Sequence, residues 1–317
     1  MLTRRNFLAG AIAAGVLGHS DPVFAKASQP ATPVNFDVPP HACDCHVHFF
    51  GDPKQFPYTA NRPYTPEVIP IEEMQALHRA LHIERVVIVT PGPFGTDNSV
   101  TVEGIKRHGN ARGIAVIGAK TSDDEIDAMN RGGIRGIRMI SGNSGPTSPD
   151  PARKLFQESA PRMKRHGWHI QMYTSLAIIS GIKDLVMTSP VPVVFDHFGS
   201  AQASRGLNQP GFGDLLDLVR SGKAYVKISG AYRASSQGPD YPDAAPLAKA
   251  LIAANPDRVV WGTDWPHPNT AALKPGELLP LFPIDDGRLL NHLPVWAPDP
   301  VIRKKILVDN PARLYGF

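Results

Sequence analysis

The sequence predicts an α/β protein: a single-domain (β/α)8 TIM barrel with a C-terminal helical tail. Three observations lead there. Eight short apolar runs recur between residues 43 and 264, and helix-like segments separate them. A chain of 317 residues has room for one such barrel, which takes about 250 residues. No glycine-rich phosphate loop follows any run, which argues against a dinucleotide-binding sheet.

The first strand is Cys43-Asp44-Cys45-His46-Val47-His48. Alternation along an extended strand puts Asp44, His46 and His48 on one face and Cys43, Cys45 and Val47 on the other. Cys43 and Cys45, the two cysteines of the chain, then stand about 6.5–7 Å apart, at or past the limit of disulfide geometry. They are expected as small apolar packing behind the barrel wall. The loop at 49–70 is rich in proline and tyrosine and too long for a plain connection. It is expected to form a lid over the barrel mouth, with Tyr58 or Tyr64 touching a ligand. A helix follows over 71–83, with Met74, Leu77 and Leu81 on one face, and His78 and His82 read as surface or packing residues.

The pattern then repeats. Further strands are predicted at 85–91, 112–117, 134–140, 168–173, 192–197, 224–229 and 258–264. Helices are predicted at 99–108, from the Ser122-Asp123-Asp124-Glu125 capping box onward, and at 151–166, 178–186, 212–220 and 244–254. The tail, 265–317, carries one or two more helices and docks on the barrel.

At the N-terminus, Thr3-Arg4-Arg5-Asn6-Phe7-Leu8 precedes a weakly apolar segment too short to span a bilayer stably. Residues 1–25 resemble a twin-arginine signal peptide, cleaved near Ala25 after Val23-Phe24. That resemblance implies the twin-arginine export machinery as a partner, a periplasmic location and no stable membrane anchor. Residues 26–40 read as a flexible linker, and 41–317 as the barrel domain. Hydrophobic content of 42%, charged content of 20% and a net charge of +4 describe an ordinary globular chain. No basic run or nucleic-acid motif is present, so nucleic acid is not an expected partner.

Working residues in such barrels stand at the C-terminal ends of the strands. The candidates are His46, His48, Arg138, Tyr173, His197, Asp264 and, just past the seventh strand, Arg233. Asp264 suits a general base that takes a proton from water. His46, His48 and His197 suit polarisation of a carbonyl, directly or through one divalent ion held with Asp264. Both routes stay open. Arg138 and Arg233 suit an anionic group on the substrate, because guanidinium pairs carboxylate or sulfonate in a bidentate way. A two-metal centre is not expected. The fourth strand offers Arg138 instead of a bridging lysine or carboxylate, and His169 lies too far back on the fifth.

Several of these stretches together resemble the amidohydrolase superfamily. They are His46-Val47-His48, Gly95-Thr96-Asp97-Asn98, Ile134 to Arg138, Asp196-His197-Phe198-Gly199, Lys227-Ile228-Ser229-Gly230 and Gly262-Thr263-Asp264-Trp265-Pro266-His267-Pro268. The resemblance runs from about residue 40 to the end and is closest to lactonases of the 2-pyrone-4,6-dicarboxylate lactonase and sulfomuconolactone hydrolase type. It implies that Asp264 activates water, that His46, His48 and His197 polarise a lactone carbonyl, and that Arg138, Tyr173 and Arg233 hold substrate. Some such lactonases work without metal and others are associated with zinc. Two positions depart from the pattern: Ser144 and Ser200 stand where the dicarboxylate lactonase has arginines. The expected activity is hydrolysis of an acidic lactone. The alternatives are a metal-dependent decarboxylase, a lactone isomerase and a non-catalytic periplasmic binding protein.

Overall fold

The computed structural model describes residues 27–141, 148–274 and 276–317. The signal segment with its cleavage point near Ala25, and Ser144, lie outside the described residues. The eight strands are β1 Cys43–Val47, β2 Arg85–Val89, β3 Ala111–Ala115, β4 Ile134–Ser141, β5 His169–Thr174, β6 Val193–Phe195, β7 Ala224–Lys227 and β8 Val259–Val260. They pair in parallel in sequence order. The last returns to the first: Cys45 N–H donates to Trp261 O at 2.9 Å, Asp264 N–H to His46 O at 2.9 Å and His48 N–H to Trp265 O at 2.8 Å. The sheet is therefore a closed barrel without an open edge. The eighth ladder is shorter than the predicted 258–264, but the chain beyond it keeps bonding to β1, which carries Asp264 to the mouth.

Helices fill the connections: α1 Ile71–Ala80, α2 Ser99–His108, α3 Asp123–Arg131 and α4 Asp150–His166. The predicted helix at 178–186 is two, α5 Leu176–Gly181 and α6 Lys183–Met187, broken at Ile182. Next come α7 Phe212–Arg220, a four-residue α8 Ala231–Ala234 that the sequence pattern did not disclose, and α9 Ala245–Ala254. The tail carries more helix than expected: α10 Asp286–Asn291, α11 Leu293–Trp296, α12 Pro300–Lys304 and α13 Asn310–Tyr315, with a π-helical turn at Lys305–Asp309. It docks as expected. Phe317 lies under Arg85 and Arg112, and Arg112 donates to Gly316 O at 2.7 Å.

Residues 27–40 form no helix or strand, yet they are tied down. Ala27 N–H donates to Glu73, Thr32 binds Asp285 through side chain and backbone, and Ser28 O accepts the Trp265 indole N–H at 3.0 Å. The linker reading misses this because these partners lie far away in sequence.

One expectation about β1 fails. The pairing of β1 with β2 is irregular between Asp44 and Val47, a bulge that breaks simple alternation. Cys43 and Cys45 are free and buried inside the barrel, with Val87, Val89, Ile114, Val194, Tyr225, Val260 and Tyr315. Asp44 turns outward to the helix layer, where His78 of α1 reaches it at 3.4 Å. His46 and His48 still face inward, because the bulge falls between them and the cysteines.

Candidate active site

Above the apolar lower lumen, the upper lumen is polar and buried. Asp264, His46, His48 and His197 are each less than 5% exposed. The Nε2 atoms of His46, His48 and His197 lie 3.6, 3.8 and 3.7 Å from one atom, Asp264 Oδ1. That oxygen and His46 Nε2 have no hydrogen-bond partner among the described residues. A buried orphan of this kind costs about 1–3 kcal/mol. Asp264 and His197 also have left-handed backbone, with φ of 68° and 48°. Such strain in non-glycine residues gathers at functional sites.

The far side of each group is held. Asp264 Oδ2 accepts the Tyr232 hydroxyl at 2.6 Å and pairs with Arg233 Nε. His48 Nδ1–H donates to Val89 O at 2.8 Å, and His197 Nδ1 meets Ser229 Oγ at 2.9 Å. Burial lowers all three imidazoles, His48 and His197 to about 4, so they are neutral near pH 7. Burial alone would raise Asp264, but Arg233 holds its carboxyl well below the usual range.

One layer down, Lys227 of β7 is fully buried. Its ammonium donates to Cys45 O at 2.8 Å and Gln171 Oε1 at 2.7 Å, and stands 3.3 Å from His46 Nδ1. Asp196 lies beside it. Asp196 Oδ2 accepts from Arg138 Nε and Gln171 Nε2, each at 3.1 Å. Lys227 and Gln171 were not foreseen as site residues. A lone lysine closing an apolar strand, with Tyr225 two residues before it facing the lumen, was the available signal.

The predicted substrate-binding residues gather at the rim. Arg138 spends Nε on Asp196, lies over the Tyr173 ring at 5.3 Å, and among the described residues makes no hydrogen bond through its terminal nitrogens. Tyr173 stands edge-on to His197, ring centres 5.3 Å apart. Arg233 spends Nε on Asp264 and one terminal nitrogen on Pro268 O. Tyr64, from the 49–70 loop, is half-buried near both guanidiniums, and the loss of solvent raises its hydroxyl to about 12. Tyr58 is not at the site: its hydroxyl reaches Pro66 O and its ring packs on Phe94. The loop does cover the mouth, where Leu279 N–H donates to Thr65 O at 2.7 Å. Clefts of about 530 and 370 Å³ reach Tyr64 and Arg233 from outside. A larger cleft of about 790 Å³, between α2 and α3, holds none of these groups.

A second unforeseen group extends from Asp264. The Tyr232 hydroxyl lies 3.3 Å from His267 Nδ1, and His267 Nε2 is 3.0 Å from Asp286 Oδ2. Burial raises the Asp286 carboxyl. Tyr232 was hidden because α8 is only four residues long and leaves no periodicity.

The amidohydrolase family model matches residues 43–317, the whole barrel and tail. The chain belongs to the amidohydrolase family. Among amidohydrolases it is 38% identical to 4-sulfomuconolactone hydrolase of Rhizobium radiobacter, covering 90% of this chain and 93% of that one. It is 34% identical to 2-pyrone-4,6-dicarboxylate hydrolase of Comamonas testosteroni, covering 92% and 94%. A solved structure from Pseudomonas putida, assigned as a 2-pyrone-4,6-dicarboxylic acid hydrolase, superposes with a TM-score of 0.70 at 27% identity, covering 88% and 98%.

Amidohydrolases often carry metal, and the donor set here fits one. His46, His48 and Asp264 offer donor atoms within 4.8 Å of one another, as do His46, Asp196 and His197. Donors placed about 2.0–2.2 Å from a tetrahedral ion stand roughly 3.3–3.6 Å apart, close to the 3.6 and 3.8 Å from Asp264 Oδ1 to His46 and His48 Nε2; His197 Nε2 lies 3.7 Å from the same oxygen but falls in the second group. His48 gives its only ring proton to Val89, so its Nε2 turns a lone pair inward. Lone pairs from imidazole and carboxylate converging on one buried point repel unless a cation or a proton donor lies between them.

Proposed function

We propose that the protein hydrolyses a small anionic lactone, with Asp264 activating the attacking water and one divalent cation, zinc, held by Asp264, His46, His48 and His197. The bare Oδ1 of Asp264, facing three imidazoles beside two guanidiniums, carries this reading. The two curated relatives add the substrate class, since their names are those of hydrolases of a sulfonated lactone and a dicarboxylated pyrone.

Arg138 offers its terminal nitrogens to the substrate anion in a fork that matches carboxylate or sulfonate. Tyr64 and the covering loop exclude bulk water. Asp264 Oδ1 takes a proton from water as the water oxygen bonds to the lactone carbonyl carbon. The ring C–O bond then breaks, and Asp264 returns the proton to the ring oxygen. The product is an open-chain acid, one carboxylate richer than the substrate. When bound, the cation polarises the carbonyl oxygen as a Lewis acid and lowers the pKa of water. Polarisation by histidine alone is less well supported, because His48 Nε2 has no proton to donate.

We also propose a periplasmic location by twin-arginine export, supported by Arg4 and Arg5 before a short apolar run. The test of activity is acid release from pyrone dicarboxylate, muconolactones with and without a sulfo group, and sugar-acid lactones. Turnover of one class is expected, with loss on exhaustive chelation and recovery with zinc. Silence across the panel overturns the hydrolase reading. Carbon dioxide release, or lactone loss without acid, replaces it with decarboxylation or isomerisation.

A further inference from the structure

The arm at residues 27–35 touches the barrel at places that lead to the reaction centre. The Thr32 hydroxyl donates to Asp285 Oδ2 at 2.6 Å, and the Ala31 and Thr32 N–H groups donate to Asp285 Oδ1 at 3.1 and 3.3 Å. Asp285 is the N-cap of α10, and its Oδ1 also takes the Gly287 N–H at 3.1 Å. At the other end of α10, Asn291 Oδ1 accepts the Asn35 N–H and Asn291 Nδ2 donates to Pro33 O, each at 2.9 Å. The arm therefore grips α10 at both ends. The fit is close: a Cβ on Gly287 would stand 1.9 Å from Thr32 O, so only glycine allows the approach.

The helix held in this way carries the buried Asp286 as its first residue. From Asp286 a line of polar contacts runs to the reaction centre. Asp286 Oδ2 lies 3.0 Å from His267 Nε2, His267 Nδ1 lies 3.3 Å from the Tyr232 hydroxyl, and that hydroxyl donates to Asp264 Oδ2 at 2.6 Å. A second attachment of the arm lands beside Asp264 itself, where Ser28 O accepts the Trp265 indole N–H at 3.0 Å. Each end of the line, Asp264 and Asp286, thus adjoins a residue that the arm binds. Asp264 keeps Oδ1 free, so the rotation of its carboxylate is set by what holds Oδ2, namely Tyr232 and Arg233. A shift of α10 reaches Tyr232 through His267 and turns that carboxylate. Misplacement by about 1 Å from a distant change costs up to roughly a hundredfold in rate.

We propose that the arm braces the catalytic carboxylate, and that Thr32 is a positioning residue acting on Asp264 through α10, His267 and Tyr232. This rests on the reading of Asp264 given above and extends the site to a segment whose sequence reads as a linker. Coupling of this kind is measured by a double-mutant cycle.

The first measurement needs no lactone: carbon-13 spectroscopy of the protein with its tyrosines labelled at Cζ. The Tyr232 resonance, identified by its loss in Tyr232→Phe, should move in Thr32→Val and return in Thr32→Ser, which restores the hydroxyl. A resonance that stays in place in Thr32→Val overturns the proposal. The second measurement is kinetic, on the lactone that the wild type turns over. Thr32→Val should lower kcat about 10–100-fold with KM within about twofold of wild type, and Thr32→Ser should recover it. In a Tyr232→Phe background, Thr32→Val should cost little more. An equal loss in both backgrounds, or a lower Tm with unchanged kcat, overturns the proposal. Should Thr32→Val not fold, Gly287→Ala, which presses on Thr32 O, replaces it in both measurements with the same expectations. Silence across the lactone panel removes hydrolysis, while the Tyr232 resonance still decides the brace.

Discussion

Two buried carboxylates, Asp44 and Asp264, come from adjacent strands and have histidines around them, yet they are built for opposite purposes. Asp44 is satisfied on both oxygens. Oδ1 accepts the backbone N–H of His46 and Thr263, and Oδ2 accepts the Thr263 hydroxyl at 2.6 Å and faces His78. Asp264 is satisfied on one oxygen only. Tyr232 and Arg233 take Oδ2, and Oδ1 is left bare before three imidazoles. Composition does not separate the two, but the count of filled lone pairs does. A carboxylate with every lone pair used ties strands together, whereas one held from behind has an oxygen free for chemistry.

The sharpest break of this comparison is a pair of variants. Asp264→Asn removes the base and should lower kcat by about 10²–10⁴-fold, with the protein still folded. Asp44→Asn should do the reverse, costing roughly 1–3 kcal/mol of stability while kcat per folded molecule changes little. Steady-state kinetics and thermal melts on both proteins check this, and a large kcat loss in Asp44→Asn would erase the distinction.

The next effect is on binding. Arg138→Met should raise KM about 10–100-fold, the value of roughly 1.5–3 kcal/mol for a charged hydrogen bond. Removing a sulfo or carboxyl group from the substrate should raise KM much less in this variant than in the wild type. A KM penalty as large as that of the wild type would remove Arg138 from anion recognition.

A smaller effect separates the outer cluster by pH. Burial, with His78 beside it, lowers His108 to about 4. The folded state keeps this ring neutral while the unfolded chain takes up a proton below about 6.5. Its contribution to stability is therefore present above 6.5 and is lost as pH falls through about 4. His108→Asn should flatten the fall in Tm over that window, and an unchanged slope would contradict it. The smallest effect belongs to Tyr58, whose hydroxyl reaches only Pro66 O. Tyr58→Phe should leave kcat/KM within about twofold, since a surface substitution away from the site stays within about 0.5 kcal/mol.

The strand order was legible because each ladder is an apolar run between turns, and the rim histidines and Asp264 were legible because they end such runs. The facing of Asp44 and the cysteines was not, because a bulge in β1 carries no compositional mark. Tyr232 and Asp286 were hidden for a different reason. They join the site through hydrogen bonds from a four-residue helix and from the tail, which no local pattern encodes. The same holds for Thr32 and Asp285, far apart in sequence and bonded at 2.6 Å. Lys227 was visible as an oddity in its strand, but its role depends on Asp196 and Gln171 arriving beside it.

The central claim is that water, activated at Asp264, attacks the lactone carbonyl. The most direct measurement is a single turnover in oxygen-18 water with the best lactone of the panel. One labelled oxygen in the new carboxylate, formed by the wild type and not by Asp264→Asn, is the predicted result. Ring opening without label in the wild type, or equal labelling by both proteins, would contradict it.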